Sequence, residues 1–354
     1  MRLLTILLLC STVLSAQKIQ LLKTGSDASF RGLSVVDDSV VWVSGTKGSV
    51  GQSLNGGRTW TFTQVPKFEK MDFRDIEAFN DSTAVIVAAS TPAYILRTAD
   101  GGETWKEVYK NADPKIFFDG MDFWDDRHGL AFSDPIDGRL VMVETRTGGA
   151  TWQVLPSFIC PPVHDSEVGF AASGTTIRCV KPNLVFISTG GKSSRVFMSS
   201  DFGRTWSFYN TPMLQGKPSQ GIFSIAMANM NQGIIVGGDY TQEKDTVANA
   251  FATRDGGKNW KRCSRPPAGY RSCVEFIDKK MALCTGPTGT EISPDLGNSW
   301  KLISTEGFHA SRKAKNGKTV FLCGGNGKVA KVVEEKPASL VRPQPQPMKP
   351  IKKK

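Results

Sequence analysis

One eight-residue phrase recurs six times along the chain, as SLNGGRTW (53–60), TADGGETW (98–105), TRTGGATW (145–152), SSDFGRTW (199–206), TRDGGKNW (253–260) and SPDLGNSW (293–300). The tryptophans fall at 60, 105, 152, 206, 260 and 300, so the spacings are 45, 47, 54, 54 and 40 residues. A period of that size belongs to repeat architectures, in which one supersecondary unit buries its apolar face only against its neighbours. It marks the chain as a repeat protein before any single residue is weighed.

The second repeat shows the grammar of the unit. FRDIEAF alternates apolar and polar residues, NDS turns, TAVIVAAS is a buried strand, YILRTA is a third, and TWKEVYK closes the unit after the box. Four short strands separated by turn residues read as one blade of a β-propeller. The box is the hairpin turn between the third and fourth strands. Its Asp or Asn accepts backbone N–H groups within the turn, its Gly supplies positive φ, and its Trp is the apolar anchor between layers. Six boxes still imply seven blades. After Trp300, GFHASRKAKNGKTVFLCGGNGKVAKVV supplies three strands, and KIQLLKTG (18–25) is one strand without a partner. Joining the two ends makes a seventh blade and removes the exposed edges. The expected fold is all-β: a seven-bladed propeller of four-stranded antiparallel blades over residues 17–333, its ring closed by the N-terminal strand.

The boxes resemble the Asp-box, or BNR, repeat of sialidases and other propellers. On that resemblance Asn55, Asp100, Thr147, Asp201, Asp255 and Asp295, with Trp60, Trp105, Trp152, Trp206, Trp260 and Trp300, are scaffold residues. Asn55 and Thr147 depart from Asp, which is expected to weaken those two turns chemically without removing the acceptor.

The ends differ from the middle. MRLLTILLLCSTVLSAQ has a basic residue, an apolar run and small residues, which predicts a signal peptide over 1–16 with cleavage after Ala16, or nearby at Ser15. Leu9 ahead of Cys10 argues against lipidation. An exported chain, periplasmic or secreted, is the expectation. Residues 334–354 are rich in Pro and Lys, carry six basic and two acidic side chains, and predict an extended tail holding +4 of the formal +11. Contact of this tail with an acidic surface is the sharper reading, and no nucleic acid partner is expected. Beyond Cys10, six cysteines remain, and fifteen full pairings are open. No cofactor, no metal site, no transmembrane segment and a monomer are expected. The acid- and His-rich DFWDDRHG (122–129) aligns with plain hairpin turns, and GGNGK (324–328) lacks phosphate-loop spacing.

Aligning first strands on their aromatic residue gives a column of pairs: Phe30-Arg31, Phe73-Arg74, Phe118-Asp119, Phe170-Ala171, Phe223-Ser224, Tyr270-Arg271 and Phe308-His309. The second member varies, and the innermost strand starts at the channel mouth. Arg271, His309, Arg31 and Arg74 then form a basic arc beside Asp119, suited to a carboxylate or phosphate. The same face receives the longest loops, 156–169, 211–221, 239–249 and 264–269, and with them Lys47, Asp134, His164, Glu167, Lys192, Asp239 and Tyr240.

Over about 90% of the chain the ring resembles the exported propellers of the photosystem II stability and assembly factor family, in GFAASGT (169–175), VGGDY (236–240), YRSCV (270–274) and GFHA (307–310) besides the boxes. That resemblance implies a non-catalytic module that holds an envelope protein or anionic ligand through arginines, here Arg31, Arg74 and Arg271. The rival is a glycosidase or polysaccharide lyase acting on an acidic sugar. A sialidase-like set would draw on the same three arginines, Tyr240 or Tyr270, Glu167, and Asp119 or Asp134, and a lyase on His309, His164 or Tyr240 as base. The chain lacks the sialidase Phe/Tyr-Arg-Ile-Pro start and has seven blades rather than six.

Overall fold

The computed structural model describes residues 17–334; the expected signal peptide and nearly all of the Pro/Lys-rich tail lie outside the described residues. Seven antiparallel sheets succeed one another along the chain, each four strands wide except the fifth, which gains two short strands at its inner edge. In the second blade the strands are Phe73–Ala78, Ala84–Ala88, Ala93–Thr98 and Lys106–Asn111, as the alternation predicts. The seventh blade is built from both ends: Ala310–Lys313, Val320–Cys323 and Val329–Glu334 are completed by Gln17–Leu22. That closing pair runs antiparallel from Gln17 opposite Glu334 to Leu22 opposite Val329.

Each gap between neighbouring blades holds one apolar core, because a four-stranded blade buries its two faces only by stacking. Phe30, Phe73 and Phe118, which open the first strands of three blades, and Phe308, two residues ahead of a fourth, are fully enclosed. Burial of each contributes about 1.5–3 kcal/mol. Every box tryptophan packs into the gap toward the preceding blade, Trp60 between blades seven and one, and Trp300 between five and six. The sixth-to-seventh gap has no such tryptophan and is filled by Leu283, Phe308, Leu322 and Ala330 with Ile19 of the closing strand.

The turn chemistry of the boxes is uniform. The Ser or Thr that opens each box accepts the N–H of the fifth residue at 2.8–3.0 Å. The third residue, Asn55, Asp100, Thr147, Asp201, Asp255 or Asp295, accepts the N–H of the seventh at 2.8–3.0 Å. Asn55 and Thr147 make the same bond as the aspartates, so the turn needs an acceptor and not a charge.

Polar side chains on the inner strands clip blade to blade. Ser34 Oγ accepts the Ala78 N–H at 3.0 Å, Asp75 Oδ2 that of Met121 at 2.7 Å, Asp122 Oδ2 that of Cys179 at 2.7 Å, and Ser224 Oγ that of Val274 at 2.9 Å. The six cysteines of the described residues are all free thiols, five of them buried. Among the described residues no helix is long and apolar enough to cross a membrane.

Candidate functional site

The mouth of the channel is shaped by one backbone irregularity that recurs in several blades. In four blades the first strand carries its turn-proximal residues in regular register, then bulges; the shifts fall between Phe30 and Gly32, Phe73 and Asp75, Phe118 and Gly120, and Ile222 and Ser224. The equivalent places in blades six and seven are Ser272 and His309, whose N–H groups reach Thr285 and Cys323 carbonyls. A bulge leaves one residue unpaired and turns its side chain. The residues so presented are Arg31, Arg74, Asp119, Phe223, Ser272 and His309, and all six line the mouth.

This register corrects the sequence alignment in three blades. In blade five the mouth residue is Phe223, and Ser224 is a buried inter-blade clip. In blade six the mouth takes Tyr270 and Ser272, while Arg271 occupies the buried column of Phe30 and is 0% exposed. Its Nε donates to Glu291 Oε2 at 2.9 Å, and its Nη1 to the Tyr270 carbonyl and Thr288 Oγ1, both at 2.8 Å. Arg271 is therefore a structural ion pair and not a member of the arc. In blade four the first strand is Ile177–Val180, not a strand opening at Phe170.

The residues ahead of that strand cross the channel. Arg74 Nη1 donates to the Ala171 carbonyl at 3.4 Å, Arg31 Nη1 to that of Ala172 at 3.2 Å, and Arg312 Nη2 to that of Ser173 at 3.0 Å. Ser173 Oγ reaches the Ser272 carbonyl at 2.8 Å, and Thr175 Oγ1 meets Ser224 Oγ at 2.6 Å. A segment from blade four that touches blades one, two, five, six and seven must span the axis. It divides the channel into a blind upper mouth of about 420 Å³ and a lower cavity of about 570 Å³. Gly174 is required at the crossing, since a Cβ there would stand 2.2 Å from Asp75 Oδ1.

The upper mouth has two unlike halves. Blades five and six and the plug supply an aromatic wall: Phe170 stacks on Phe223 at 3.9 Å between centroids, and Tyr270 meets Phe223 edge-on at 4.8 Å. Tyr240 stands half-exposed at the rim, placed by Asp239, which caps the Thr241 N–H and accepts from Gln220. Blades seven, one, two and three supply the polar half. Arg74 Nε pairs with Asp72 at 2.7 Å. His309 Nδ1 lies 3.1 Å from the Phe30 carbonyl, which can only accept, so Nδ1 carries the hydrogen. Burial first, then the Arg31 charge, push His309 down to about 4, and the ring is neutral at pH 7. The arc thus carries two charges, not four.

Asp119 is 2% exposed, and neither of its oxygens finds a donor among the described residues. Asp134, which accepts the Gly169 N–H at 3.0 Å, is its neighbour. Burial and the Asp134 charge hold Asp119 well above the carboxylate range, and burial raises Asp134 to about 6. The two carboxyls are hydrogen-bonded to each other, and a proton on Asp119 is donated to Asp134.

The other sequence candidates lie outside this cavity. Lys47 forms an exposed pair with Asp27. Glu167 is 0% exposed and holds the buried Arg195, with Nη2 to Oε2 at 2.6 Å. His164 is exposed beside Ser193, and Lys192 is exposed near it. A sialidase-like set is not assembled, because Arg271 and Glu167 are each locked in separate buried ion pairs. DFWDDRHG forms the expected turn, with Asp125 capping the Arg127 and His128 N–H groups.

The lower cavity titrates differently. Burial raises Asp75 to about 7 in spite of two N–H donors and the nearby Arg312 charge. Asp75, Asp119 and Asp134 all have folded values above their unfolded ones, so each adds stability as pH falls through its folded value toward the unfolded one. His309, depressed by burial, opposes them only below about pH 6.5. Asp75 and Asp134, with His309 set against them, are expected to raise the unfolding free energy by on the order of 2 kcal/mol between pH 8 and pH 5, and Asp119 adds in the same direction. Urea titrations at several pH values check this, and Asp75→Asn should flatten the slope.

Comparison with known proteins agrees with this architecture. Residues 11–116 match the family model described as photosynthesis system II assembly factor YCF48. No curated protein matches the sequence. The solved YCF48 bound to a D1 peptide is 13% identical, with a TM-score of 0.62, covering 92% of this chain and 100% of that one. YCF48 from Cyanidioschyzon merolae is 14% identical, with a TM-score of 0.63, covering 90% and 98%. The WD40 propeller domain of Doa1 is 13% identical, with a TM-score of 0.62 and the same coverage. At such identities the likeness to solved structures is one of fold. The chain is a seven-bladed β-propeller that resembles the photosystem II assembly factors, in sequence through its first two blades and in fold around the ring.

Proposed function

We propose that this protein is an exported, non-catalytic binding or assembly factor whose upper mouth holds a segment of a protein partner. The observation that carries the reading is the blind mouth itself. Arg31 and Arg74 line it and keep guanidinium N–H groups beyond those bound to the plug carbonyls, and they face an aromatic wall that can take a partner side chain. The YCF48 structure with a D1 peptide supports it, as a propeller of this fold occupied by a peptide. Export rests on the apolar N-terminal stretch of the sequence.

The test is an immobilised array of unrelated ten-residue peptides, probed with the wild type and with an Arg31→Ala, Arg74→Ala double variant of unchanged melting temperature. Peptides held by the wild type and released by the variant are the expected result. Equal retention by both proteins, or none by either, overturns the reading.

A further inference from the structure

The polar half of the mouth is close to neutral. Arg31 and Arg74 bring two positive charges, Asp72 sets a negative one against Arg74, the Asp119–Asp134 pair adds negative charge, and Glu243 lines the same cavity from the other side. A purely anionic ligand is poorly matched to such a surface, since what it gains at the guanidiniums it loses near the carboxyl pair. A group carrying an anion and an N–H donor a few atoms apart satisfies both poles.

Asp119 is the sharpest sign of this. Apart from its contact with the Asp134 carboxyl, this buried carboxyl meets no donor among the described residues, and buried polar atoms left open in a cavity mark places where a partner belongs. Gly169 lies over it so closely that a Cβ there would stand 2.3 Å from Asp119 Oδ2, so backbone and carboxyl together form that side of the wall. Across the mouth, Phe170, Phe223 and Tyr270 offer ring faces and edges. The cavity of about 420 Å³ falls in the range of small-ligand pockets, about 300–1,000 Å³. The lower cavity has no such vacancy: Arg178 pairs with Glu275 at 2.5 Å, Lys315 with Glu77, and Asp75 and Asp122 accept backbone N–H groups.

Resting on the binding role given to this mouth, we propose that it is a receptor for an α-amino-acid head group attached to an apolar ring. Arg31 and Arg74 hold the carboxylate, the Asp119–Asp134 pair accepts the N–H, and the ring lies against Phe170, Phe223 and Tyr270. Two sources share this chemistry, a free aromatic amino acid and the last residue of a polypeptide chain.

Four probes separate the parts, each titrated calorimetrically into the full chain at pH 7: L-phenylalanine, N-acetyl-L-phenylalanine, L-phenylalaninamide and 3-phenylpropanoate. The first two carry both carboxylate and N–H; the amide lacks the carboxylate and the propanoate lacks the N–H. At least one of the first two is expected to bind about tenfold or more above the last two, as loss of one charge-assisted hydrogen bond implies. Tighter binding of the acetyl compound assigns the site to a chain terminus, and tighter binding of the free amino acid to a small molecule. Asp134→Asn should bring phenylalanine down to the level of 3-phenylpropanoate without weakening the latter, a pattern that misfolding would not produce. The proposal is overturned if 3-phenylpropanoate binds as well as phenylalanine and its acetyl derivative, or if none of the four binds. Should none bind while array peptides are still held through Arg31 and Arg74, the head-group assignment fails and the broader binding role stands.

Discussion

Replacing Arg271 by Ala is expected to lower the unfolding free energy by about 3–5 kcal/mol, the scale for breaking a buried ion pair from one side. The guanidinium is 0% exposed, and its removal strands Glu291, itself 3% exposed, without its countercharge. Thr288 and the Tyr270 carbonyl lose their donor as well. A urea midpoint read with an unchanged m-value measures the loss. The double variant Arg271→Met, Glu291→Leu should recover much of it, because apolar residues of similar volume avoid the desolvation cost. Arg31→Ala and Arg74→Ala, at the open mouth, should leave the midpoint nearly unmoved while altering binding. A native midpoint for Arg271→Ala would mean that this arginine is not the buried tie described above.

Deleting residues 17–22 should have a still larger effect, because it opens the ring. The strand pairs over six residues with Val329–Glu334 and places Ile19 in the inter-blade gap that lacks a box tryptophan. Without it Val329–Glu334 becomes a bare edge, and open edges recruit other chains. The expected outcome is loss of the single cooperative unfolding transition, with oligomers on size-exclusion chromatography. A monomer that still unfolds in one step would show that the other six blades close without this strand.

The box turns and the closing strand were legible in the sequence because their physics is local. An acceptor at the third position, a Gly that reaches positive φ and a Trp at the end act within eight residues, so each copy announces itself. The mouth was legible only in blades one, two, three and seven, where the aromatic column and the bulge coincide. Phe223 and Tyr270 broke that coincidence by one residue. Counting back from the hairpin turn, five residues from Phe276 to Arg271 as from Val35 to Phe30, would have placed Arg271 in the buried column. GFAASGT (169–175) stood out as a stretch of resemblance, but nothing local marked it as a plug: Ala171 and Ala172 are small residues, and their partners Arg74 and Arg31 lie 97 and 141 positions away.

The sequence by itself determined the number of blades, the place of each turn and the way the ends meet, since periodicity and turn chemistry are properties of neighbouring residues. Only the tertiary structure decided which charges survive at the mouth. His309 loses its proton to burial beside Arg31, Arg271 is consumed by Glu291, and Asp119 is held above the carboxylate range by burial and by Asp134. Each of these depends on how much water the fold leaves around a group and which charge from another segment stands next to it.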